Sequence, residues 1–551
     1  MPKVRLALVQ TNPVVGDISG NVEQIFNTVV TAAAQNANLV MFGEMSVTGY
    51  PIEDLAARES FIHLAESGLE KLAKKLADNS LGEIAVVVGH PAMAPMGQKQ
   101  EWALAQNCAS VLLGGKVIAK YAKHHLPNYS VFDEYRNFAP GNSLVTFEHL
   151  GLNFSILICE DIWQSGGPVA DLAGSNTDVT LVLNGSPFEI DKDDRRLVLV
   201  SELASKHSTA VAYVNLVGGQ DDLVFDGDSI MVAADGKLIG RGKQFEEDLI
   251  CFDITSKNEI TRVSGSGAEK HGDEWQIWNA LVLGLRDYVK KNKFKSVILG
   301  LSGGIDSAVC ASLAADAIGA KHVYGVSMPS KYSSDHSRSD AQISAERIGL
   351  NFRTEPIENF VSAFESQLGF VGIAAENLQA RLRGVILMGI SNSEGHLVLT
   401  TGNKTELAVG YSTIYGDAVG GFAPLKDVEK TLVWKLAKWR NAQAQISNEP
   451  LPIPENSISK PPSAELRPGQ TDQDSLPDYE TLDSILDFYV EKRFGREQLV
   501  AKGFDPTLVE RVISLVDNAE WKRRQGAIGP KITGMAFGRD RRLPITNRAN
   551  K

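Results

Sequence analysis

A strand, a glycine turn and a helix follow one another between residues 296 and 320, and this order strongly constrains the fold of the second half of the chain. Residues 296–301 are mostly apolar and indicate a short buried strand, whereas the small residues 308–320 indicate a helix. Between them lies Ser-Gly-Gly-Ile-Asp-Ser, residues 302–307. Backbone N–H groups at such a turn, the two hydroxyls and the helix dipole favour an anion. Because Asp306 would repel a phosphate unless a divalent cation lay between them, the segment predicts a site for pyrophosphate and Mg²⁺.

Length and charge narrow the class of protein. The 551 residues exceed one ordinary domain, so two large domains are expected. A hydrophobic content of 43% is that of a soluble globular protein, and the net charge of −12 argues against broad binding to nucleic acid or to an anionic membrane. The four cysteines form no C-x-x-C pair, so neither a zinc ribbon nor a disulfide framework is predicted, and a reducing cytoplasm is the expected compartment.

Short apolar runs alternate with helical stretches in the first half of the chain. The predicted strands are residues 6–9, 39–42, 84–88, 154–158, 179–183 and 210–214. A Gly- and Ser-rich break at residues 264–268, followed by polar residues, indicates a domain boundary. We therefore predict a first domain over residues 1–264, a linker over residues 265–275 and a second domain over residues 276–551.

The second half is predicted to form a parallel α/β sheet. Its strands, residues 297–301, 322–327 and 397–400, are separated by helical stretches, as right-handed crossover connections require. Residues 445–474 are rich in Pro, Ser and charge, so they are expected to form a mobile lid and not part of the core.

Three reactive side chains follow predicted strands or apolar stretches in the first domain. Glu44 follows residues 40–43, Lys123 follows the apolar stretch near residues 117–119, and Cys159 follows residues 154–158. Strand ends meet at one rim of a sheet, so the three could converge. They would form a coherent chemical set: a cysteine nucleophile, a lysine that lowers the thiol pKa and stabilises an oxyanion, and a glutamate that accepts and returns the proton.

The segments around these residues resemble motifs of the nitrilase superfamily. Residues 42–51 resemble its glutamate motif, residues 123–129 its lysine motif and residues 159–163 its cysteine motif, while residues 184–188 resemble a segment that lines the substrate pocket. The resemblance covers roughly residues 3–260. It implies an α-β-β-α sandwich for the first domain.

Three more segments of the second domain have the composition of a phosphate site. Residues 400–406, Thr-Thr-Gly-Asn-Lys-Thr-Glu, follow a predicted strand and begin a helix. Glu406 is positioned to share a cation with Asp306. Residues 411–417 and 420–426 follow, and the glycines of the latter would let the backbone approach a ligand while Lys426 supplies a cation.

These segments, together with residues 376–381 and 537–545, resemble the NAD synthetases, and the hexapeptide at 302–307 resembles the loop of the ATP pyrophosphatases. Joined to a nitrilase-like half, the whole chain resembles the glutamine-dependent NAD synthetases. The resemblance implies a doubly wound parallel sheet of the adenine nucleotide α-hydrolase type in the second domain. It also implies the reaction: ATP adenylates the nicotinate carboxylate of deamido-NAD, and ammonia released from glutamine displaces AMP.

The resemblance also implies site residues by position. The catalytic set is Glu44, Lys123 and Cys159, and the Mg²⁺ ligands are Asp306 and Glu406. The glutamine pocket is formed by Tyr129, Glu160, Ser186 and Arg196, with Arg195 competing for the last position. The ATP-binding residues are Ser302, Gly303, Gly304, Asp306, Ser307, Ser330, Thr401, Lys426 and Ser463. The deamido-NAD-binding residues are Asn377, Arg381, Asn403, Lys404, Tyr411 and Asp417.

The implied partners are small molecules, namely deamido-NAD, ATP and glutamine, with no nucleic acid and no membrane. Synthetase domains of this kind resemble dimers, so a homo-oligomer, at least a dimer through the second domain, is expected.

Other readings of the sequence are less consistent with its motifs. A nitrilase-type amidase with a nucleotide-binding regulatory domain would not need Glu406 or the arginine-rich segment near the end of the chain. A non-catalytic scaffold would not keep all three reactive residues and both carboxylates. GMP synthetase and asparagine synthetase pair the pyrophosphate loop with other glutaminase domains, and the latter needs an N-terminal cysteine where this chain has Pro2. A tRNA-thiolating enzyme needs sulfur-carrying cysteines, and Cys310 fits a helix core instead.

Overall fold

The computed structural model describes residues 3–97, 103–265, 267 and 269–547. Residues 266 and 268 of the predicted linker, residues 1–2 and 98–102 of the predicted first domain and residues 548–551 of the second lie outside this description. The chain divides into two units, the first comprising Met1–Gln220 and Val224–His271 and the second Asp221–Leu223 and Gly272–Lys551. Within the described ranges, no helix is long and apolar enough to cross a membrane.

The first unit is built on two β-sheets. One has seven strands in the order β15-β14-β1-β2-β3-β4-β5, and the other has six in the order β13-β12-β9-β8-β7-β6. The strands are β1 Val4–Gln10, β2 Leu39–Met41, β3 Ala85–Met93, β4 Ala105–Leu113, β5 Lys116–Ala122, β6 Val145–His149, β7 Leu152–Ile158, β8 Val179–Asn184, β9 Ala210–Asn215, β10 Val217–Gln220, β11 Leu223–Asp226, β12 Ile230–Val232, β13 Leu238–Arg241, β14 Asp248–Ser256 and β15 Glu259–Ser264. The helices are α1 Ile18–Ala34, α2 Glu59–Asp78, α3 Glu134–Asn137, α4 Pro168–Asp171 and α5 Lys192–His207.

Alternation of side chains along the strands places apolar residues on both faces of the seven-stranded sheet. Leu6 and Leu8 of β1 belong to the core between the two sheets, together with Ile156 of β7. Ala7 and Val9 of the same strand pack instead in a second cluster that includes residues of α1 and α2. Helix α5 contacts β9 and β12 of the six-stranded sheet. These layers form the α-β-β-α sandwich that the sequence predicts.

The second unit contains a four-stranded parallel sheet in the order β18-β17-β16-β19. Its strands are β16 Val297–Gly300, β17 Val323–Ser327, β18 Asn351–Thr354 and β19 Leu397–Leu399. Its helices are α6 Asp273–Lys291, α7 Ile305–Ile318, α8 Asp335–Ile348, α9 Glu358–Leu368, α10 Ile373–Glu394, α11 Lys404–Val409, α12 Lys430–Ile446, α13 Glu455–Ser459, α14 Tyr479–Leu486, α15 Arg496–Ala501, α16 Pro506–Asn518 and α17 Glu520–Arg523.

Strand order in this sheet explains where a ligand can enter. The chain runs from β16 outward to β17 and β18 and then returns to the other side of β16 as β19. Ile298 of β16 packs in a cluster with residues of α9 and α10. Its neighbours Val297 and Leu299 are also buried, and helix α7 contacts the same strand. Because connections diverge on either side of β16, a crevice opens at the carboxyl ends of β16 and β19. The residues that follow these two strands are 301–304 and 400–403.

All nine predicted strands are confirmed, with ends that differ by a few residues. Strand β4 was not predicted because Gln106, Asn107 and Ser110 interrupt its apolar pattern, yet all three are buried. Strand β18 was not predicted because its side chains are partly exposed at the sheet edge. Helix α6 begins at Asp273, inside the predicted linker, since Gly272 and the acidic residues after it make a favourable helix start.

The segment predicted as a lid is only partly exposed. Ile453 and Ile458 are buried, and Asn441 of α12 exchanges two hydrogen bonds with the backbone of Ile453. The expectation that the whole segment lies outside the core is therefore wrong for residues 452–458, because prolines there do not prevent the isoleucines between them from packing. Residues 461–471, in contrast, are exposed or half-buried.

The core between the two sheets should dominate the stability of the first unit. Phe154 of β7 is fully buried and stacks on Phe147 at 5.3 Å between ring centroids. Phe154→Ala should lower the free energy of unfolding of this unit by about 3–5 kcal/mol, because it removes buried surface and leaves a cavity. Urea denaturation followed by circular dichroism measures this loss. Val198→Ala on the exposed side of α5 is the control and should change the midpoint little; an equal loss in both variants would contradict the core assignment.

Two candidate active sites

The structure brings the three reactive side chains of the first unit together at strand ends. Glu44 follows β2, Lys123 directly follows β5, and Cys159 directly follows β7. All three are buried, and the Lys123 ammonium lies 2.8 Å from Glu44 Oε1. The charges of Glu44 and Lys123 both act on the thiol of Cys159. The convergence follows from the sandwich, because β2 and β5 belong to one sheet and β7 to the other.

Three donors hold the carboxylate of Glu44. Oε1 accepts hydrogen bonds from Lys123 Nζ at 2.8 Å and from Asn107 Nδ2 at 2.6 Å. Oε2 accepts one from the backbone N–H of Gly185 at 2.8 Å. The donors come from β4, from the residue after β5 and from the residue after β8, so both sheets aim this carboxylate. Asn107 was not identified from the sequence, since a buried amide inside a strand carries no motif signal.

A second buried carboxylate faces Lys123. Glu134 Oε1 accepts hydrogen bonds from Lys123 Nζ at 2.9 Å and from the Tyr50 hydroxyl at 2.8 Å. Burial raises the pKa of Glu134 to about 7, with Lys123 opposing and Glu44 adding to the shift. Burial alone would lower the pKa of Lys123, but Glu134 and Glu44 together hold that pKa well above its ordinary value. Lys123 is thus cationic, with two carboxylates around it.

The state of Cys159 differs from the sequence expectation. Burial and the neighbouring Glu44 carboxylate raise the pKa of the thiol well above its ordinary value, and Lys123 offsets this only in part. Lys123 lowers the thiol pKa as predicted, but desolvation and the like charge of Glu44 outweigh this one cation, so the net shift is upward. Cys159 also has φ 41°, a left-handed backbone that is strained for a non-glycine residue and turns the chain sharply after β7.

Asp161 joins the lysine and cysteine segments. Its Oδ1 accepts hydrogen bonds from the backbone N–H groups of His124 and His125 at 3.1 and 2.9 Å. Its Oδ2 accepts from the Tyr121 hydroxyl at 2.7 Å and from the N–H of Ile158 at 3.0 Å. The buried carboxylate of Asp161 therefore fixes the backbone just after Lys123 and just before Cys159.

The residues predicted for the glutamine pocket differ in their exposure to solvent and in their hydrogen-bond partners. The Tyr129 hydroxyl donates to Glu160 Oε2 at 2.9 Å, and Tyr129 is half exposed. Ser186 is buried next to Gly185, the residue that contacts Glu44. Arg196 is buried, but its guanidinium bonds to Asp226 and to backbone carbonyls behind Ser186. Arg195 is exposed and pairs with Glu189 at 3.1 Å.

The second unit contains a cavity of about 300 Å³ at the crevice beside β16 and β19. Nine predicted residues line it: Ser302, Gly304, Asp306, Ser307, Thr401, Glu406, Tyr411, Asp417 and Ser463. The exposed part of the predicted lid contributes residues 461–466 to its wall. Arg383, which was not identified from the sequence, also lines it and donates to the carbonyl of Met328 at 3.1 Å.

The loop after β16 leads directly into the start of helix α7. Gly304 caps α7, and its N–H donates to Ser302 Oγ at 3.2 Å, while Ser302 Oγ and Ser307 Oγ lie 3.1 Å apart. Gly303 has φ 80°, and a Cβ there would lie 2.2 Å from the carbonyl oxygen of Ser337. A glycine is therefore required at this position.

Two carboxylates of the cavity share one ammonium group. Lys430 Nζ lies 2.5 Å from Asp306 Oδ2 and 3.4 Å from Glu406 Oε1. Asn403 links the same pair, donating to Asp306 Oδ1 at 3.0 Å and accepting from the N–H of Glu406 at 3.0 Å. Burial raises the pKa of Glu406 to about 8, with Lys430 opposing the shift. Lys430 was not identified from the sequence, because it lies at the start of α12, just after the motif of residues 420–426.

Several predicted ligand residues lie outside the cavity lining. Asn377 Oδ1 accepts from the Thr413 hydroxyl at 2.8 Å, and Arg381 donates to the carbonyl of Ile414 at 3.3 Å. Ser330, three residues after the end of β17, donates its N–H to Ser333 Oγ at 3.1 Å. Lys426 lines a smaller cavity of about 70 Å³ together with Thr401 and Glu406.

Lys404 is the predicted ligand residue whose placement differs most from expectation. It is 3% exposed, and its ammonium contacts Glu491 at 2.5 Å, the Thr533 hydroxyl at 2.7 Å and the carbonyl of Met535 at 3.0 Å. Asp427 Oδ1 lies 2.9 Å away. The side chain thus ties the start of α11 to the segment 533–535, and its charge is already neutralised inside the protein.

Family models match both halves of the chain. Residues 5–261 match the carbon-nitrogen hydrolase model, and residues 277–526 match the NAD synthase model. The glutamine-dependent NAD(+) synthetase of Acinetobacter baylyi is 46% identical, with 99% of each chain covered. The enzyme of the same description from Thermotoga maritima is 41% identical, with 100% of this chain and 99% of that protein covered.

A solved structure shares both fold and sequence with this chain. The glutamine-dependent NAD+ synthetase of Acinetobacter baumannii, determined in complex with adenosine diphosphate, superposes with a TM-score of 0.77 at 42% identity and covers 99% of both chains. Full-length identity, the two family models and the two sites all agree. The chain belongs to the glutamine-dependent NAD(+) synthetase family, and it is an ATP-dependent ligase with a nitrilase-like glutaminase domain.

Proposed function

We propose that the first unit releases ammonia from glutamine with Cys159 as nucleophile, Glu44 as proton acceptor and Lys123 as the group that stabilises the oxyanion. The arrangement of Glu44, held by three donors beside a neutral thiol, carries this proposal. A thiol whose pKa is raised must lose its proton to a base as it attacks, and Glu44 is the carboxylate aimed at that place.

The proposed hydrolysis proceeds in two steps. In the first, the sulfur of Cys159 bonds to the amide carbon of glutamine, the C–N bond breaks, and the proton taken by Glu44 passes to the leaving ammonia. In the second, a water gives a proton to Glu44 and attacks the thioester, which yields glutamate and the free thiol. Tyr129, Glu160 and Ser186 are proposed to line the pocket that holds glutamine.

We propose that the second unit activates the nicotinate carboxylate of deamido-NAD. A carboxylate oxygen bonds to the α-phosphorus of ATP and pyrophosphate leaves; ammonia then bonds to the acyl carbon and AMP leaves. Ser302, Ser307 and the backbone of Gly303 and Gly304 are suited to hold pyrophosphate. Residues 461–466, which line the cavity and are exposed to solvent, are suited to close over the adenylate and exclude water.

The carboxylates of Asp306 and Glu406 are proposed to hold Mg²⁺. Their oxygens already share one cation, the ammonium of Lys430, and two carboxylates are the donors that a hard divalent cation prefers. Among the described residues no group of three or more His, Cys, Asp or Glu surrounds a common point, so the remaining ligands would be phosphate oxygens and water. Bound there, Mg²⁺ would neutralise phosphate charge.

Self-association is proposed to occur through the second unit. Phe360, Phe364 and Leu368 are spaced four residues apart on α9, and each is 43–53% exposed. Val385 on α10 is 66% exposed. Such a clustered apolar face is costly in water, so a second copy of this chain is proposed to cover it. We further propose the cytoplasm as the compartment, since all four cysteines are buried free thiols.

Cys159→Ala should abolish NAD formation from glutamine and leave NAD formation from excess ammonium at high pH near normal. The reason is that the nucleophile serves only the release of ammonia. NAD, AMP and glutamate are assayed with deamido-NAD, ATP and Mg²⁺ present. Cys251→Ala, which alters a buried thiol elsewhere in the same unit, is the matched control and should keep both activities. Loss of the ammonium-dependent reaction in folded Cys159→Ala would contradict the division of labour.

Asp306→Asn and Glu406→Gln should each lower NAD formation by about 100-fold with either nitrogen source, because charge stabilisation at the phosphates is lost. Glutaminase activity should persist, and titration with Mg²⁺ should show weaker activation. Asp316→Asn is the matched control, since Asp316 lies on the same helix but pairs with Arg440 at the surface. Normal synthesis by either variant at ordinary Mg²⁺ would remove that residue from the metal site.

Phe364→Glu should convert the oligomer into smaller species, because a charge would be buried in the proposed interface. Sedimentation velocity measures the change, and Leu64→Glu at an exposed site of the first unit serves as the control. A wild-type monomer, or a variant that sediments as the wild type does, would exclude this face.

A further inference from the structure

Arg196 is more deeply buried than a residue that contacts substrate needs to be. Its side chain is 1% exposed, and it lies on α5. Nη1 donates to both carboxylate oxygens of Asp226 at 2.7 Å. Nη2 donates to the carbonyl oxygens of Ser186 at 2.9 Å and Pro187 at 3.0 Å. Both terminal nitrogens are thus committed to groups of the protein.

The backbone that Arg196 holds also contacts the catalytic carboxylate. Ser186 is the residue after Gly185, whose N–H donates to Glu44 Oε2 at 2.8 Å. Asn215 binds the same short segment. Its side chain accepts a hydrogen bond from the N–H of Ser186 at 2.9 Å and donates one to the carbonyl of Ser186 at 3.0 Å. Asn215 also donates to Asp226 at 3.1 Å. Arg196, Asp226 and Asn215 therefore form one frame around residues 185–187.

The position of the Gly185 N–H depends on this frame. Residues 185–187 follow β8 outside any regular strand. The backbone of Pro187 forms an isolated antiparallel bridge with Phe225, and the side chains of Arg196 and Asn215 bind the backbone of Ser186. The two terminal nitrogens of the guanidinium carry two N–H donors each and make four bonds here, whereas the ammonium of a lysine has three donors on one nitrogen and cannot reproduce them. Burial would lower the pKa of Arg196, but Asp226 raises it above the ordinary arginine value, so the group stays charged and bonded.

We propose that Arg196 is a positioning residue that sets the catalytic geometry of Glu44 through the backbone of residues 185–187 and does not itself contact glutamine. This inference rests on the proposed role of Glu44 as proton acceptor. In chemical terms, the N–H of Gly185 binds Oε2 of Glu44 and so keeps this carboxylate directed at Cys159. Loss of that aim slows proton transfer without removing any group that binds the substrate.

The test compares Arg196→Lys with Arg5→Lys. Arg5 is the control because its guanidinium also pairs with a carboxylate, that of Asp253, at 2.8 and 3.0 Å and donates to a backbone carbonyl, that of Gln35, at 2.7 Å. It holds strand β1 and makes no contact with residues 185–187. Arg196→Lys should lower kcat for glutamine hydrolysis about 10–100-fold, the loss seen when orienting partners of metal ligands are removed. KM should change less than kcat, although the same backbone carries Ser186 of the proposed pocket. Arg5→Lys should change neither constant.

Two further measurements separate positioning from binding and from folding. Alkylation of Cys159 by iodoacetamide should be slower in Arg196→Lys, because a misaligned Glu44 accepts the thiol proton less readily. Ammonium-dependent NAD formation should remain normal and report a folded protein. A raised KM with unchanged kcat would overturn the proposal in favour of direct contact with glutamine, and unchanged kcat, KM and alkylation would overturn it outright.

A second variant keeps the test decisive if Arg196→Lys does not fold. Asn215→Ala removes a neutral member of the same frame, so it should also lower kcat, with a smaller change in KM. Normal kcat in folded Asn215→Ala would overturn the proposal. The outcome is independent of the Cys159→Ala test, because failure of Cys159→Ala to abolish glutamine use would reject the site itself, whereas failure here rejects only the frame.

Discussion

Burial of charge is the constraint on which both sites depend. An ion removed from water costs several kcal/mol unless other charges and hydrogen bonds compensate it. Lys123 lies between Glu44 and Glu134, and Lys430 lies between Asp306 and Glu406. In each site a single ammonium brings together two carboxylates that would otherwise repel one another. Each cluster thereby ties separate elements together: α3 to the residues after β2 and β5 in the first unit, and α7, α11 and α12 to one another in the second.

Each cluster carries more acid than base, and this imbalance explains its chemistry. Burial raises the pKa of Glu134 to about 7 and that of Glu406 to about 8, and the one lysine in each cluster offsets this only in part. In the first unit the surplus negative charge can accept the proton of a thiol. In the second unit it can receive a divalent cation together with a nucleotide. In the proposed functions, the same electrostatic arrangement serves proton transfer in one site and phosphate chemistry in the other.

The sequence was most informative where a motif lies at the end of a strand. Glu44, Lys123 and Cys159 were found because each follows an apolar run, and the hexapeptide at 302–307 was found in the same way. Glu134, Asn107 and Lys430 were not found, because they lie on a short helix, inside a strand and on a long helix, where polar residues are common. The sequence also did not reveal the thiol pKa, which depends on burial that only the packed sandwich creates.

Charged residues inside motifs have two different physical uses. A charge that faces a cavity can bind a ligand, but a charge with every partner inside the protein can only fix other groups. Lys404 and Arg196 were both predicted to bind substrates, and both are buried among carboxylates and backbone carbonyls. Each joins a motif to a distant segment: Lys404 joins α11 to residues 533–535, and Arg196 joins α5 to residues 186–187. A motif can therefore contain a charged residue because that residue fixes the positions of its neighbours. For this reason, position within a motif does not by itself distinguish a residue that binds substrate from one that holds other residues in place.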